Sequence, residues 1–308
     1  MAAPAQLNKR ADGPMKARRL RLRAPAKLNL FLEVLGKRPD GYHEIRSIFH
    51  TISLCDEIEI GERKEGIHLE CSDPSLPTDE RNLAWRAADL MQKRAKTATG
   101  IAIRLTKRIP VGAGLGGGSS DATAVLKGLN ALWRLGLPEA ELARLAAELG
   151  SDCAFFIRCG TAVCEGRGEI VRPLPVAGEF SFVLVCPPLS VSTAEVYRNL
   201  SRNDLTGPRR DDTILRSAIQ AGDLPLAGRK LFNRLEGPAF RLYGELAGAK
   251  ERLSEFCPHG ALMTGSGSAL FGIAGRRLSE AQEVVRRTTP LGLGMVWAVK
   301  SLFIDDTA

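Results

Sequence analysis

The sequence lacks the features that would place the protein in a membrane, a rod-like assembly or the disordered class. Of its 308 residues, 44% are hydrophobic and 25% are charged, which is typical of a globular chain. No apolar run reaches the ~18–20 residues that a membrane-spanning helix needs. The basic N-terminus has no apolar segment after it, so no secretory signal is expected. We therefore expect a cytoplasmic globular protein, and at ~100–200 residues per domain the length favours two domains.

Paired cysteine and histidine spacings are also missing. Seven cysteines occur, an odd number with no CxxC pair, and the four histidines form no HExxH motif. Structural zinc sites need closely spaced pairs of such ligands. Reduced cysteines in apolar segments behave as small hydrophobic residues. The sequence thus indicates a reducing compartment and argues against a histidine-rich metal site.

The positive charge is concentrated at one end of the chain. The net charge is +8, of which residues 1–23 carry +6 through seven basic residues and one aspartate. A terminal run of one sign is usually a solvated arm, and we predict such an arm over residues 1–19. Met15 is an alternative start of the folded unit. Binding of nucleic acid by the arm is the competing hypothesis, but no aromatic residues are interleaved with its basic ones.

Strands and helices alternate irregularly, which predicts the α+β class rather than a repeating βαβ array. The patterns predict strands beginning at Arg19 and over 43–60, 67–71, 101–105, 154–157, 161–164, 169–171, 180–186, 261–263, 269–273 and 295–303. They predict helices over 82–96, 122–135, 138–149 and 279–287, and several long helical segments from about 212 to 255. The Pro/Gly-rich segment 173–178 is the predicted boundary between domains 20–176 and 177–308.

The most informative segment is a glycine-rich loop that lies between a predicted strand and a predicted helix. Consecutive glycines let a backbone approach a ligand closely, and the following helix adds free N–H groups and a positive dipole end. Such a loop predicts a phosphate site. Its residues are Pro110, Val111, Gly112, Ala113, Gly114, Leu115, Gly116, Gly117, Gly118, Ser119 and Ser120. A flexible linker is the alternative, although its ordering would then serve no ligand.

Three common phosphate loops do not fit this segment. A Walker A loop needs a lysine before its Ser/Thr, and none precedes Ser119. Gly112, Gly114 and Gly117 satisfy GxGxxG, but several strands precede them and no acidic residue ends a strand about 20 positions later. The HRD and DFG motifs of protein kinases are absent.

Three segments together resemble the GHMP kinases, which include galactokinase, homoserine kinase and mevalonate kinase. The loop Pro-x3-Gly-Leu-Gly-Gly-Gly-Ser-Ser is similar to the family's phosphate loop. The segment 24–32 (APAKLNLFL) resembles its first motif, and 264–268 (TGSGS) resembles its third. Asp40-Gly41-Tyr42-His43 is similar to the family branch whose substrate carries a cytidine diphosphate. The resemblance covers about residues 20–303.

The resemblance implies a fold and a reaction. The fold is a two-domain α+β arrangement, with an N-terminal domain like domain 2 of ribosomal protein S5, a ferredoxin-like C-terminal domain and an active site in the cleft between them. The reaction is ATP-dependent phosphorylation of a cytidine-diphosphate-linked alcohol for isoprenoid synthesis. The resemblance further implies Mg²⁺, a monomer or homodimer, and no membrane or nucleic-acid partner. Another GHMP kinase, of the homoserine or mevalonate type, and a catalytically inactive ligand sensor remain alternatives.

The site residues also follow from the resemblance, motif by motif. Lys27 and Asp152 match the catalytic lysine and aspartate, whereas the bare sequence would favour a solvated lysine and a turn aspartate. The further residues implied are Asn29, Tyr42, His43, Thr193 and Tyr197 for the substrate, Lys107 for the nucleotide pocket, and Gly265, Ser266 and Gly267 in the third motif. The Mg²⁺ ligands are unknown, with Ser120 as one possibility.

Two departures from the family pattern stand out. Cys153-Ala154 follows the aspartate where Val-Pro is usual, and Arg234 stands where Asn-Asp-Leu-Glu has its aspartate. Neither departure removes a side chain with an implied catalytic role. The retained Lys27 and Asp152 also argue against an inactive sensor.

Overall fold

A computed structural model describes residues 19–201, 204–205 and 209–303. Of the basic arm predicted over residues 1–19, all but Arg19 lies outside this part of the chain. The N-terminal half contains strands β1 (Arg19–Lys37), β2 (His43–Arg63), β3 (Ile67–Cys71), β4 (Gly100–Thr106), β5 (Thr161–Gly166) and β6 (Ile170–Pro173), and helices α1 (Leu83–Ala95), α2 (Gly117–Leu132), α3 (Glu139–Leu149) and α4 (Phe155–Arg158).

The C-terminal half carries a second set of elements. Its strands are β7 (Ser181–Cys186), β8 (Phe232–Asn233), β9 (Ala261–Met263), β10 (Leu270–Gly275) and β11 (Met295–Lys300). Its helices include α5 (Thr193–Arg198), α6 (Thr213–Ala221), α7 (Leu224–Arg229), α8 (Glu236–Leu242), α9 (Gly244–Ser254) and α10 (Leu278–Thr288).

The first sheet is organised around the long antiparallel pair β1–β2. Its strands follow the order β3-β4-β2-β1-β8, and β5 with β6 extends from the other end of β2. Side chains on one face of this sheet, such as Ile58 and Ile60, pack against Leu126 and other apolar residues of α1, α2 and α3. Only the first part of β1, with Leu20, Leu22 and Ala24, packs on these helices, whereas Leu28 and Leu30 belong to a different apolar cluster.

The second sheet is antiparallel, with the order β11-β7-β10-β9. Phe182, Leu184 and Phe271 of this sheet belong to the same buried cluster as Leu28 and Ile48 of the first. The two sheets therefore share one apolar core, and the rim of that shared interface forms a cleft. The mixed layers confirm the α+β class.

The two halves are also joined by hydrogen bonding of their strands. The short strand β8 pairs in parallel with β1, with Phe232 opposite Phe31 and Asn233 opposite Leu32. A segment of the C-terminal half thus completes the sheet of the N-terminal half. This pairing brings Asn233 next to the first sequence motif.

One predicted element was wrong. Residues 154–157 form helix α4 and its N-cap rather than a strand, with Phe155 and Phe156 buried. A short, uninterrupted apolar run has no period that separates a buried helix from a buried strand. The helical segments predicted from about 212 to 255 form α6, α7, α8 and α9, and the two-residue strand β8 lies between α7 and α8, where it pairs with β1. Helix α2 begins at Gly117, inside the glycine loop, instead of at Ala122.

Candidate active site

The glycine loop connects β4 to α2 and needs glycine for its backbone path. Gly112, Gly114 and Gly116 have φ angles of +70°, +77° and +71°, in the left-handed region. Gly116 is the N-cap of α2, so the free N–H groups of the first helical turn belong to the last loop residues. The loop therefore presents the backbone donors and positive dipole end that suit a phosphate group.

The glycine loop lies directly against the third glycine motif of the other half. The N–H of Ala269 donates to the carbonyl of Ala113 at 3.2 Å. A Cβ atom on Gly114 would lie 2.4 Å from the carbonyl oxygen of Thr264, and one on Gly265 would lie 3.1 Å from that of Gly114. The close approach excludes side chains at both glycines and fixes one edge of the cleft.

Lys27 lies between this loop and Asp152. Its backbone N–H donates to Leu115 of the loop at 2.9 Å. Its Nζ lies 2.6 Å from Asn29 Oδ1 and 3.6 Å from Asp152 Oδ2. Burial lowers the pKa of Lys27, while the Asp152 carboxylate opposes that shift. The pair joins a buried ammonium to a carboxylate whose side chain is 28% exposed at the cleft.

Cys153, the residue after Asp152, is buried, and its thiol carries no charge at neutral pH. Burial raises the pKa of the Cys153 thiol to about 11, so it is protonated at neutral pH. The departure from Val-Pro thus leaves the carboxylate of Asp152 beside Lys27. All seven cysteines are free.

Asn29 is held by a hydrogen-bond network that crosses the cleft. Its N–H donates to Thr264 Oγ1 at 2.9 Å, and that hydroxyl donates to Asn29 Oδ1 at 3.1 Å. Asn29 Nδ2 donates to Ser47 Oγ at 2.9 Å. The amide therefore has a defined orientation, and it ties Lys27 to the third glycine motif.

A cavity of about 880 Å³ opens beside this network. Its wall includes Lys27, Asn29 and Asp152 together with Tyr42, His43, Thr193, Tyr197, Gly265 and Ser266. The structure thus brings together the implied catalytic and substrate residues. Gly267 is near but adjoins Met263 and Leu246 instead.

The aromatic end of the cavity combines three rings with a guanidinium group. The His43 and Tyr197 rings lie 4.8 Å apart between centroids. Tyr42 is 53% exposed, and the Arg167 guanidinium lies 4.9 Å from its ring centroid. Burial and the neighbouring Lys37 charge lower the pKa of His43, so its imidazole is neutral at pH 7. This end suits a flat heterocycle with polar edges.

A second cavity, of about 310 Å³, lies on the other side of the glycine loop. It is lined by the glycine loop, including Ser119, together with Lys107, Asn82 and Leu83. Gly114 and Gly116 border both cavities. The two cavities therefore meet at the loop. Ser120, by contrast, is 1% exposed and lines a separate small cavity with Leu22 and Pro25. The structure does not bring Ser120 to the cavity of Lys27 and Asp152.

The base of the glycine loop contains a cluster of buried charges. Lys107 Nζ donates to Asp56 and, at 2.8 Å, to Asp121 Oδ2. Asp56 Oδ1 also accepts the N–H of Ile109 at 2.9 Å, just before the loop. Two carboxylates share one ammonium here, and burial raises the pKa of Asp121 to about 7, against the opposing charge of Lys107.

This cluster predicts a pH-dependent stability. A carboxyl whose pKa is higher in the folded than in the unfolded chain stabilises the fold below the unfolded pKa, near 3.8, and that contribution is lost as pH rises through about 7. We expect Asp121→Asn to raise the melting temperature relative to wild type by an amount that grows from pH 4 to about pH 8. The surface variant Asp89→Asn serves as control. A difference that stays constant across this range would contradict the shifted pKa.

Two polar contacts near the site come from Asn233 and Arg234, to which the sequence analysis gave no site role. Asn233 Nδ2 donates to the carbonyls of Met263 and Gly265, both at 2.7 Å, and so holds the third glycine motif. Arg234 forms a two-point ion pair with buried Glu33, at 2.6 and 2.7 Å. The arginine that departs from the family pattern therefore meets a carboxylate on β1, next to the strand pairing that positions Asn233.

The described residues contain no group of three or more His, Cys, Asp or Glu side chains placed to hold a metal ion. Within the same residues, no helix is both long and apolar enough to cross a membrane.

The family models and the relatives that match this chain indicate the same family. The model of the GHMP kinases N terminal domain matches residues 82–160, and that of the GHMP kinases C terminal region matches residues 215–289. The 4-diphosphocytidyl-2-C-methyl-D-erythritol kinase of Geobacillus thermodenitrificans is 46% identical over 259 residues, which cover 83% of this chain and 88% of the relative. The enzyme of the same name from Shouchella clausii is 44% identical over 253 residues, which cover 82% of this chain and 84% of the relative. The chain belongs to this kinase family. Its members are ATP-dependent phosphotransferases of the GHMP superfamily.

Solved structures support the same assignment. A crystal structure of 4-(cytidine 5'-diphospho)-2C-methyl-D-erythritol kinase matches with a TM-score of 0.78 and 38% identity, covering 92% of this chain and 99% of that one. Leishmania major mevalonate kinase, with a TM-score of 0.73, is 17% identical over 92% of this chain and 96% of its own. At that identity the likeness extends to the fold alone.

Proposed function

We propose that the protein transfers the γ-phosphoryl group of ATP to the 2-hydroxyl of 4-diphosphocytidyl-2-C-methyl-D-erythritol. The products are the 2-phosphate and ADP, in the non-mevalonate route to isoprenoid precursors. The observation that carries the proposal is a single cavity with Lys27 and Asp152 in contact and with Tyr42, His43 and Tyr197 in its wall. The cavity thus combines a transfer centre with a platform for a heterocycle.

The glycine loop is the proposed phosphate site. Phosphoryl transfer demands positioned phosphates and neutralised charge, with little covalent chemistry from the protein. Residues 110–120 supply backbone N–H groups between the two cavities, so a triphosphate there would have its base in the smaller cavity, near Lys107, and its terminal phosphate toward Lys27. The nucleotide and the alcohol would then meet where the cavities join.

Asp152 is the proposed acceptor of the hydroxyl proton, and Lys27 the group that neutralises charge. A general base must lie within reach of the hydroxyl, and the Asp152 side chain opens to the cleft with 28% of its surface exposed. The ammonium also faces the developing charge on the transferring oxygens. Asn29, which binds Lys27 Nζ through its carbonyl oxygen, is proposed to orient that ammonium and the reacting end of the substrate.

The proposed metal ion is Mg²⁺ bound chiefly through nucleotide phosphates and water. The donor set fits such a role, because Mg²⁺ in nucleotide sites needs only one or two protein oxygens. The Asp152 carboxylate, with its exposed fraction of 28%, and Ser119 of the loop cavity are the candidate oxygens. When bound, the ion would neutralise phosphate charge; the protein's part is to orient the hydroxyl and receive its proton.

Tyr42 and Tyr197 are proposed to bind the cytosine ring, with His43 at its polar edge. Stacking of a base on an aromatic side chain contributes ~1–3 kcal/mol. We therefore expect Tyr42→Ala to raise the KM for the cytidine substrate ~10-fold or more while kcat falls much less. Steady-state kinetics measure both constants, with Tyr42→Phe as the conservative control. A fall confined to kcat would show that Tyr42 does not bind the base in the ground state.

A kinase of the homoserine or mevalonate type is the competing function. The direct test is ADP release from ATP and Mg²⁺ in the presence of each alcohol in turn. We expect release with 4-diphosphocytidyl-2-C-methyl-D-erythritol and none with homoserine or mevalonate. Release with either of those two alone would overturn the proposed substrate and leave the family assignment intact.

Several expectations from the sequence remain predictions. These are the domain boundary at residues 176 and 177, the cytoplasmic location, the monomeric or homodimeric state and the absence of a nucleic-acid partner. The basic arm on which a nucleic-acid role would depend lies almost wholly outside the described residues.

A further inference from the structure

The wall of the main cavity carries an excess of positive charge. Among the described residues that line it, the cations are Lys27, Lys37, Arg167 and Arg198, and the one carboxylate is Asp152. The neutral imidazole of His43 adds no charge at pH 7. Four cations against one anion repel each other unless a ligand compensates them. The cavity is therefore built for an anion beyond the charge that Asp152 already balances.

Three of these cations are weakly partnered and come from three separate elements. Lys37 ends β1 and lies opposite His43 in the β1–β2 register. Arg167, in the β5–β6 turn, has its nearest carboxylate contact at 3.7 Å, to Glu169. Arg198 ends α5 directly after Tyr197, and its side chain is 72% exposed. Its Nε donates to the carbonyl of Ala194 at 3.2 Å, and its nearest carboxylate contact, to Glu195, is at 3.9 Å. Ion pairs of this length and exposure contribute little, so the charges remain available to a ligand.

The position of Arg167 links the two ends of the cavity. Its guanidinium lies over the Tyr42 ring. The next residue, Gly168, adjoins the reaction centre, since a Cβ atom there would lie 3.4 Å from Asp152 Oδ1. A substrate that extends from the aromatic platform to Asp152 must therefore pass Arg167 with its central portion.

We propose that Lys37, Arg167 and Arg198 form a cationic rim that binds the diphosphate between the base and the reacting alcohol. This inference rests on the proposed function, in which the substrate carries such a diphosphate. Guanidinium and ammonium groups make charge-assisted hydrogen bonds to phosphate oxygens, and arginine does so with two parallel donors. The rim would thus select phosphate-bearing alcohols over neutral ones. It also accounts for the positive charge that remains after Asp152 has balanced Lys27.

The test compares cytidine and CDP in titration calorimetry with wild type, with a methionine variant at each of the three positions and with Arg167→Lys. We expect Lys37→Met and Arg198→Met each to weaken CDP binding ~10-fold. Cytidine affinity should change less than about two-fold, because the nucleoside has no phosphate to lose. Arg167→Met should weaken both ligands since Arg167 also backs Tyr42, and Arg167→Lys should restore part of the CDP affinity. Added salt should weaken CDP binding to wild type more than to the variants.

Matched controls separate the rim from a general loss of charge. Lys64→Met and Arg229→Met remove exposed cations that do not line the cavity, and they should leave CDP affinity unchanged. Equal losses for cytidine and CDP in Lys37→Met and Arg198→Met would overturn the rim. So would a loss confined to ATP.

The same titrations distinguish failure of the rim from failure of the proposed function. If CDP binds wild type and all three variants equally, the rim is wrong while the function stands. If no cytidine compound binds but inorganic pyrophosphate does, and the variants lose it, the proposed substrate is wrong while the anionic rim stands. If neither CDP nor pyrophosphate binds wild type, both are wrong.

Discussion

Asp152→Asn is expected to lower kcat ~10²–10⁴-fold, the usual contribution of a positioned general base. The amide keeps the shape of the carboxylate but cannot accept the hydroxyl proton. Lys27 would lose its counter-charge at 3.6 Å and keep its contact with Asn29 Oδ1, so the pocket should stay intact. The KM values for ATP and for the alcohol should therefore change little. Steady-state ADP release measures kcat and both KM values.

The matched control for this variant is Asp89→Asn. Asp89 has a similarly exposed side chain, 32% against 28%, but its partner Lys93 lies on the same surface helix. Exposed pairs of this kind contribute ~0.2–1 kcal/mol, so activity should stay at the wild-type level. Equal turnover of Asp152→Asn and wild type would remove Asp152 from the mechanism. A rise in KM with unchanged kcat would assign it to substrate binding alone.

Lys27→Met is expected to lower kcat ~10²–10³-fold, the range seen when one preorganised charge-stabilising group is removed. Lys27 is 3% exposed, and methionine fills the space of its stem without introducing an unpaired charge. Burial lowers the pKa of the Lys27 ammonium, so wild-type kcat should fall in the alkaline range as this group loses its proton. The variant has no ammonium to lose, so its kcat–pH profile should lack this alkaline limb.

The pH profile separates this role from a structural one. A variant that merely loosens the pocket would lower kcat at every pH and keep the alkaline limb. Lys93→Met, on the exposed face of α1, is the matched control and should retain both the rate and the profile. An alkaline limb that persists in Lys27→Met, with kcat still reduced, would show that this limb does not arise from Lys27.

Local sequence signals were sufficient where one segment builds its own structure. The glycines of the phosphate loop predict positive φ angles, which other residues rarely adopt, and three of these glycines have such angles. The alternation in β1 predicted the strand that carries Lys27 and Asn29, although this strand is buried on both faces from Ala24 to Val34 and not on one face only. The sequence motifs were therefore enough to identify most of the side chains that meet in the main cavity.

The missing parts depend on partners that are distant in sequence. Asn233 holds the third glycine motif only because β8 pairs with β1, and a two-residue strand has no periodicity of its own. Asp56 and Asp121 look like ordinary surface carboxylates until folding places both on Lys107. Ser120 was a possible Mg²⁺ ligand in the sequence, but its position in α2 places it in the wall of a separate small cavity. Such contacts are set by tertiary packing rather than by local pattern.

The most direct test of the account is a crystal structure with a non-hydrolysable ATP analogue, Mg²⁺ and 4-diphosphocytidyl-2-C-methyl-D-erythritol. We predict the 2-hydroxyl within ~2.6–3.2 Å of the Asp152 carboxylate, in line with a γ-phosphate held by the glycine loop. The cytosine should stack on Tyr42. A hydroxyl directed away from Asp152, or a triphosphate bound away from residues 110–120, would contradict the account.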